Sequence, residues 1–246
     1  MLSFFKKNKQ PITTLFSKTY IDIHSHLLPN IDDGSKSFED STELIQKLSS
    51  FGIKNFVTTP HVMDGVWNNT SKDIQQKLFE LTNYLKSHGL EDINIRAAAE
   101  YMIDNNFEKL LSNKDLLPIK DQYILVELSY FNPPINLNEI LFNIQIAGYK
   151  PILAHPERYI FYHTNYNKYH ELKELGCLFQ LNLLSLSQHY GSKVNKITER
   201  LLKDNLIDFT GTDTHNIRHL NTLETINNGK LLKLITPILE NNAKLL

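Results

Sequence analysis

The chain has 246 residues, 41% hydrophobic and 22% charged, with 26 basic side chains against 27 acidic ones and a formal net charge of −1. That composition supports a sizeable core and leaves no case for disorder, while the balanced charge excludes a surface drawn as a whole to nucleic acid or anionic lipid. The length exceeds one ordinary domain but suits an α/β barrel, so one domain is expected.

Residues 1–19 are expected to form a flexible N-terminal arm ahead of a single domain over residues 20–246. In that arm Leu2, Phe4 and Phe5 precede Lys6, Lys7 and Lys9, the reverse of the order in a secretory signal. No stretch approaches the roughly 18 apolar residues of a transmembrane segment. Cys177, the one cysteine, has no partner for an internal disulfide or a thiolate metal site. It follows Gly176 and precedes an apolar run, as a buried structural thiol would, and a cytoplasmic location is expected.

In chain order, a strand over Tyr20–Ile23 runs into His24-Ser25-His26 and then Asp32-Asp33-Gly34, followed by a helix over Ser41–Ser50. The strand over Asn55–Thr59 ends at Pro60-His61, and a helix over Lys72–Ser87 follows. The strand over Ile93–Ala98 ends at Ala99-Glu100. The strand over Tyr123–Leu128 carries Glu127 and precedes a helix over Leu137–Ala147. The strand over Pro151–Ala154 ends at His155, and a helix over Lys168–Leu175 leads to a strand over Leu178–Leu181. After a helix over Lys193–Asp204, the strand over Ile207–Gly211 ends at Thr212-Asp213-Thr214-His215, and a helix spans Thr222–Asn228. Gly52, Gly89, Gly148 and Gly176 stand where left-handed helix stops are needed. Short apolar runs alternating with helical periodicity are the pattern of parallel strands joined by helices.

The acidic and histidine side chains fall at the carboxyl ends of the strands, the rim where a barrel of parallel strands builds its active site. His24 with His26, and Asp213 with His215, are i, i+2 pairs on one face of extended chain and so can chelate. A His-x-His pair is a weak signal by itself, Glu100 or Glu127 alone reads equally as a salt-bridge partner, and Asp213 as a helix cap. Taken together, the nine residues His24, His26, Asp33, His61, Glu100, Glu127, His155, Asp213 and His215 would lie buried and unpaired without cations. Imidazoles and carboxylates without thiolates suit a cluster of Mn, Fe or Zn ions. Arg158, three residues beyond His155, reads as a clamp on two oxygens of a phosphate or, more plainly, as a surface ion-pair partner of Glu157 or another acid. His88, His163, His170, His189 and His219 read as solvated or capping, although Arg218 and His219 stand within reach of the cleft.

These residues together resemble the polymerase and histidinol phosphatase (PHP) superfamily, and within it the bacterial tyrosine-protein phosphatases encoded with capsule and exopolysaccharide genes. The stretches that carry the resemblance are Asp22-Ile-His-Ser-His26, Asp32-Asp-Gly34, Thr58-Thr-Pro-His61, Ala99-Glu100, Leu125-Val-Glu127, Ala154-His-Pro-Glu-Arg-Tyr159 and Thr212-Asp-Thr-His-Asn216, with a similar tail near Glu240-Asn-Asn242. The resemblance implies a distorted (β/α)7 barrel of PHP type holding three divalent metal ions, usually manganese, with iron or zinc in relatives. It implies that His24, His26, Glu100 and Asp213 hold the first ion, that Glu100 bridges to a second alongside Glu127 and His155, and that Asp33, His61 and His215 hold the third. Arg158 and, less directly, Arg218 would bind the phosphoryl group; in the mechanism expected here Asp213 or a neighbouring histidine assists proton transfer. One departure is that Val62-Met63-Asp64-Gly65 follows His61 where some members carry basic residues.

The activity expected from this is hydrolysis of phosphotyrosine on a protein, the partner being a tyrosine kinase of polysaccharide assembly, with no nucleic acid and an oligomer left open. The alternatives are a small-molecule phosphomonoesterase of histidinol-phosphatase type and a metal-binding scaffold without turnover.

Overall fold

Strand breaks shape the barrel of this chain, described over residues 10–246 in a computed structural model. The first strand is β1 (Ile21–Asp22). The second divides at Thr59-Pro60 into β2 (Asn55–Thr58) and β3 (His61–Val62), and the third divides at Ala98-Ala99 into β4 (Asn94–Ala97) and β5 (Glu100–Met102). Pro60 has no N–H to give a ladder, which favours a break there, yet its carbonyl accepts from Glu100 N at 3.0 Å and so keeps the two broken staves aligned. The remaining staves are β6 (Tyr123–Glu127), β7 (Lys150–Ala154), β8 (Leu178–Asn182) and β9 (Phe209–Gly211).

All pairings are parallel, in two sheets of order β1-β2-β4 and β3-β5-β6-β7-β8-β9. The ring closes at its mouth, where Asp213 N donates to His24 O at 2.7 Å and His26 N to Thr214 O at 2.9 Å. Below, the amide of Asn242 sutures the same seam: Nδ2 donates to Ile21 O at 2.9 Å and Thr210 O at 2.7 Å, while Oδ1 accepts from Thr210 N at 3.0 Å. The result is the expected distorted seven-stave barrel, its staves two and three each carried by a pair of short strands.

Side chains alternate with the period of two that strands impose. On β6 and β7, Leu125, Ile152 and Ala154 join Ile21, Ile23 and Val57 inside the barrel, while Ile124, Val126 and Leu153 pack outward against the helices. The inner apolar layer is the floor on which the polar mouth rests. Two residues beyond Leu125, Glu127 therefore points inward at the mouth.

The helices lie where periodicity and caps put them, with differences. Ser37 caps Phe38–Ser50, Thr70 and Asp73 form a capping box on Ser71–Ser87, and Asp104 caps an unforeseen helix, Asn105–Asn113. Gly52, Gly89, Gly148 and Gly176 all have positive φ, as helix stops require. The last expected helix is displaced: it spans Ile217–Thr225 because Asn216 caps it by accepting from Arg218 N, and a further helix runs over Gly229–Asn241. Of the expected arm, residues 1–9 lie outside the described residues. From residue 10 the chain is packed on the barrel, with Ile12 fully buried and its N–H donating to Ile226 O at 2.8 Å. Cys177 is buried, and burial pushes its thiol up to about 12. Among the described residues no helix is long and apolar enough to cross a membrane.

Candidate metal centre

All nine sequence-identified ligand residues converge at the carboxyl end of the barrel. His24 Nε2 lies 3.1 Å from Glu100 Oε2, 3.4 Å from Asp213 Oδ1 and 3.3 Å from His26 Nε2, while His26 Nε2 lies 3.5 Å and 3.4 Å from the same two oxygens. His24, His26 and Asp213 stand close enough to hold one cation, since ligands at about 2.0–2.2 Å in tetrahedral geometry stand roughly 3–3.5 Å apart, while Glu100 groups with His24 and His155. The carboxylate of Glu100 is shared, with Oε1 3.0 Å from His155 Nε2 and Oε2 3.1 Å from His61 Nδ1, and Glu127 Oε1 is 3.0 Å from the same His61 nitrogen. Asp33 Oδ1 lies 3.5 Å from His61 Nε2 and 3.4 Å from His215 Nε2. The groupings differ in detail from those the resemblance implies: Glu127 clusters with His61 and Glu100, and His26 joins Asp33, His61 and His215.

These residues suit cations better than they suit one another. Glu100 Oε2 and Glu127 Oε1 are each buried about 3 Å from His61 Nδ1, at ion-pair distance, yet none of the three atoms makes a hydrogen bond of good geometry. An unpaired buried polar atom costs about 1–3 kcal/mol, more when charged, and three side by side mark a place built for positive charge. Electrostatics agree. Burial raises Glu127, and the charge of Glu100 raises it further. Burial works against the charged forms of Glu100 and Asp213, but the surrounding histidines outweigh it and hold both carboxyls well below the ordinary range. Burial likewise opposes the His24 imidazolium, but Glu100 and Asp213 prevail and lift it to about 9, whereas burial and then Arg158 lower His155 to about 4.

Outer contacts fix which nitrogen of three imidazoles faces inward. His24 Nδ1 donates to Gln180 Oε1 at 2.8 Å, His26 Nδ1 to Asp32 Oδ2 at 2.7 Å, and His215 Nδ1 to Asp213 O at 2.9 Å. In the neutral imidazole that metal binding requires, each of these Nε2 atoms turns its lone pair toward the cluster, the arrangement that orients metal-binding histidines. Asp32 also accepts from the backbone N–H groups of Gly34 and His61, so one carboxylate ties the loop and the start of β3 to the His26 ring. Sequence reasoning passed over Gln180 and Asn182. The available signal was two amides at i, i+2 in an otherwise apolar buried strand.

Backbone strain gathers at the same rim. His155 and Asp213, the residues that leave β7 and β9, have φ of 35° and 49°, a left-handed conformation that costs a non-glycine residue about 1–2 kcal/mol. Gly211, two residues before Asp213, is a glycine for space: a Cβ there would come within 2.5 Å of His24 Cβ and 2.7 Å of Gln180 Nε2.

Two adjoining cavities open over the cluster. One, of about 310 Å³, is lined by Glu100, Glu127 and His155 and by Met63, Trp67 and Tyr130; the other, of about 260 Å³, is lined by Tyr190, Asn216 and His219. Asp33, Arg158, Asp213 and His215 border both. Arg158 sits between two phenol rings, 4.9 Å from the centroid of Tyr130 and 4.2 Å from that of Tyr190, and Nη1 donates to Asp213 Oδ2 at 2.9 Å. Arg218 is not brought in. It is exposed on the helix Ile217–Thr225, and among the described residues no ion pair joins it to the cluster. His219, read from sequence as capping, borders the polar cavity, its Nδ1 3.1 Å from Asp213 O. His88 and His170 lie away from both cavities.

Comparison with known proteins places this arrangement. Residues 20–224 match the family described as capsular polysaccharide synthesis, CpsB/CapC. The chain is 31% identical over 202 residues to the tyrosine-protein phosphatase YwqE of Bacillus subtilis (strain 168), covering 82% of this chain and 79% of that protein. It is 32% identical over 200 residues to the putative tyrosine-protein phosphatase CapC of Staphylococcus aureus, covering 80% and 77%. Among solved structures, the work on YwqE and on CpsB of Streptococcus pneumoniae, described as unique metal-dependent tyrosine phosphatases, contains a chain that superposes with a TM-score of 0.82 at 29% identity, covering 92% of this chain and 93% of that one. Histidinol phosphate phosphatase of Lactococcus lactis shares the fold at 14% identity, with a TM-score of 0.55 over 87% and 93% of the two chains.

Proposed function

Because the chain belongs to the CpsB/CapC family of capsular polysaccharide synthesis, we propose that it is a metal-dependent protein-tyrosine phosphatase acting on a phosphotyrosine protein of polysaccharide assembly, a tyrosine kinase being the partner that fits best. The observation that carries this reading is the trio of buried atoms on Glu100, Glu127 and His61, without hydrogen bonds of good geometry, beneath a cavity that Arg158 borders. Three divalent ions, manganese first and iron or zinc next, suit nine nitrogen and oxygen side chains without a thiolate. His24, His26, Glu100 and Asp213 would hold one ion, Glu100, Glu127 and His155 a second, and Asp33, His61 and His215 a third, with His61 also standing by Glu127 and His26 by the third group. Bound there, the ions supply a water acidified toward neutrality and positive charge for the phosphoryl oxygens.

The chain's own groups do the rest. Arg158, stacked between Tyr130 and Tyr190, presents a fixed guanidinium to charge that grows on the phosphoryl oxygens in the transition state. Asp213 is held by Arg158 and by Asn182 Nδ2, which donates to Oδ2 at 2.7 Å, so its carboxylate stays oriented while a proton moves nearby. Arg218 takes part only by moving from its exposed position. Cys177, buried and with its thiol raised, is no nucleophile. The lone buried cysteine and the lack of a membrane-crossing helix among the described residues suit a cytoplasmic enzyme.

Initial rates on a phosphotyrosine peptide and on histidinol phosphate, measured with the manganese-loaded chain, test the substrate. The peptide is expected to be preferred by kcat/KM; preference for histidinol phosphate would overturn the protein-phosphatase reading while leaving the metal centre intact.

A further inference from the structure

The 310 Å³ cavity has two unlike walls. Carboxylates and imidazoles form one; the other is apolar, made by Met63, Val66 and Trp67 of the loop after β3, by Met102 at the end of β5, and by the ring of Tyr130. This loop begins directly after His61 and Val62. It is a fixed turn. Met63 N donates to Trp67 O at 3.0 Å and Trp67 N to Met63 O at 2.9 Å, Asp64 N donates to Asp104 Oδ2 at 2.9 Å, and Asn69 Nδ2 donates to His61 O at 2.8 Å.

Two aromatic planes are set against two of the ligand histidines. The indole of Trp67 stacks on His61 with centroids 4.7 Å apart and planes 15° apart, and the phenol of Tyr130 stacks on His155 at 5.9 Å and 19°. Val66 keeps 59% of its surface exposed although it borders the cavity. A hydrophilic phosphate has no use for such a wall. A flat apolar group attached to that phosphate does, since it covers exposed apolar surface while its phosphoryl oxygens reach the cluster.

We propose that Met63, Val66 and Trp67, together with Tyr130, form a seat for the aromatic ring of the substrate, so that this chain selects aryl over alkyl phosphates by contact with the ring and not only through the acidity of the leaving phenol. The proposal rests on the phosphatase reading of the metal centre. Leaving-group chemistry and ring contact are separated by phosphonates, which bind without being cleaved.

The chain carries a single tryptophan, Trp67, so its emission reports on this wall directly. With the manganese-loaded full chain, phenylphosphonate is expected to inhibit hydrolysis of p-nitrophenyl phosphate roughly 10- to 100-fold more strongly than methylphosphonate, and to alter tryptophan emission with the same midpoint. Val66→Ser and Met63→Ser are expected to cut that ratio at least threefold, leaving the methylphosphonate inhibition constant and the metal content unchanged. Trp67→Leu is followed by metal analysis as well, because the indole also supports His61. Equal inhibition by the two phosphonates in the unaltered chain, or a ratio untouched by Val66→Ser and Met63→Ser, would overturn the ring seat. If no p-nitrophenyl phosphate is hydrolysed and neither phosphonate moves the emission, the phosphatase reading itself fails.

Discussion

Arg158 and Asp213 divide a carboxylate between two tasks: Oδ2 accepts from Arg158 Nη1 at 2.9 Å, and Oδ1 faces His24 Nε2 and His26 Nε2 at 3.4 Å. The guanidinium thus borders the ligand cluster without belonging to it. Arg158→Ala is expected to lower kcat by about 10²–10³, the range for loss of one preorganised transition-state contact, while metal content stays near that of the unaltered chain. Arg158→Lys is expected to recover little, because an ammonium neither stacks between Tyr130 and Tyr190 nor offers a planar fork. Steady-state kinetics with metal analysis on both variants checks this; metal lost in step with activity would make Arg158 a structural prop.

Gln180 touches no candidate ion, yet it sets the His24 ring through Nδ1 at 2.8 Å. Replacing it with leucine removes the acceptor and frees the ring to adopt the other tautomer. Gln180→Leu is expected to weaken manganese binding about 10- to 100-fold, the usual effect of losing an outer-sphere partner, and Asp32→Asn should do the same through His26. Competition with a chromogenic chelator measures both, and unaltered affinity in the two variants would show that the outer contacts do not orient the ligands.

The pH response should change sign with metal. In the metal-free protein His24 is raised to about 9, against burial, by Glu100 and Asp213, and His26 and His61 are raised as well. A raised histidine holds in the folded state a proton that the unfolded chain gives up near its usual 6.5, so its stabilisation is full below that pH and is lost as pH climbs through about 9. His155, lowered to about 4, has the opposite sign and acts on the acid side; Asp22 and Glu157, raised mainly by burial to about 6 and about 7, have largely titrated before pH 8. Metal needs neutral imidazoles, so its contribution grows over the same interval. The melting temperature in chelator is expected to fall between pH 7 and 9, and that in manganese to hold or rise. Parallel curves would contradict this assignment.

Much of the centre was legible because a parallel barrel sends the end of every stave to one mouth, so His24, His61, Glu100, Glu127, His155 and Asp213 each declared themselves by following or ending an apolar run. Their partition into groups was not legible: that Glu127 stands by His61, and His26 by Asp33, depends on side-chain reach across strands. The breaks at Thr59-Pro60 and Ala98-Ala99 were hidden for a related reason, since ladder continuity is decided by neighbouring strands, and only Pro60 gave a local hint. Asn242 illustrates the longest range of all, a tail amide that joins β1 to β9 across 221 residues of sequence. The placement of Arg218 followed its distance from Asp213 along the chain, whereas the Asn216 cap starts a helix that turns its side chain outward.

The most direct test of the whole account measures metal content and phosphotyrosine-peptide turnover on the same samples: the chain as purified, after exhaustive chelation, and after manganese is returned. Close to three metal ions per chain with turnover are expected, with loss of both on chelation and recovery of both with manganese. Glu127→Ala and His155→Ala should be depleted in metal and inactive throughout. Full turnover by the chelated chain, or by either variant, would contradict it.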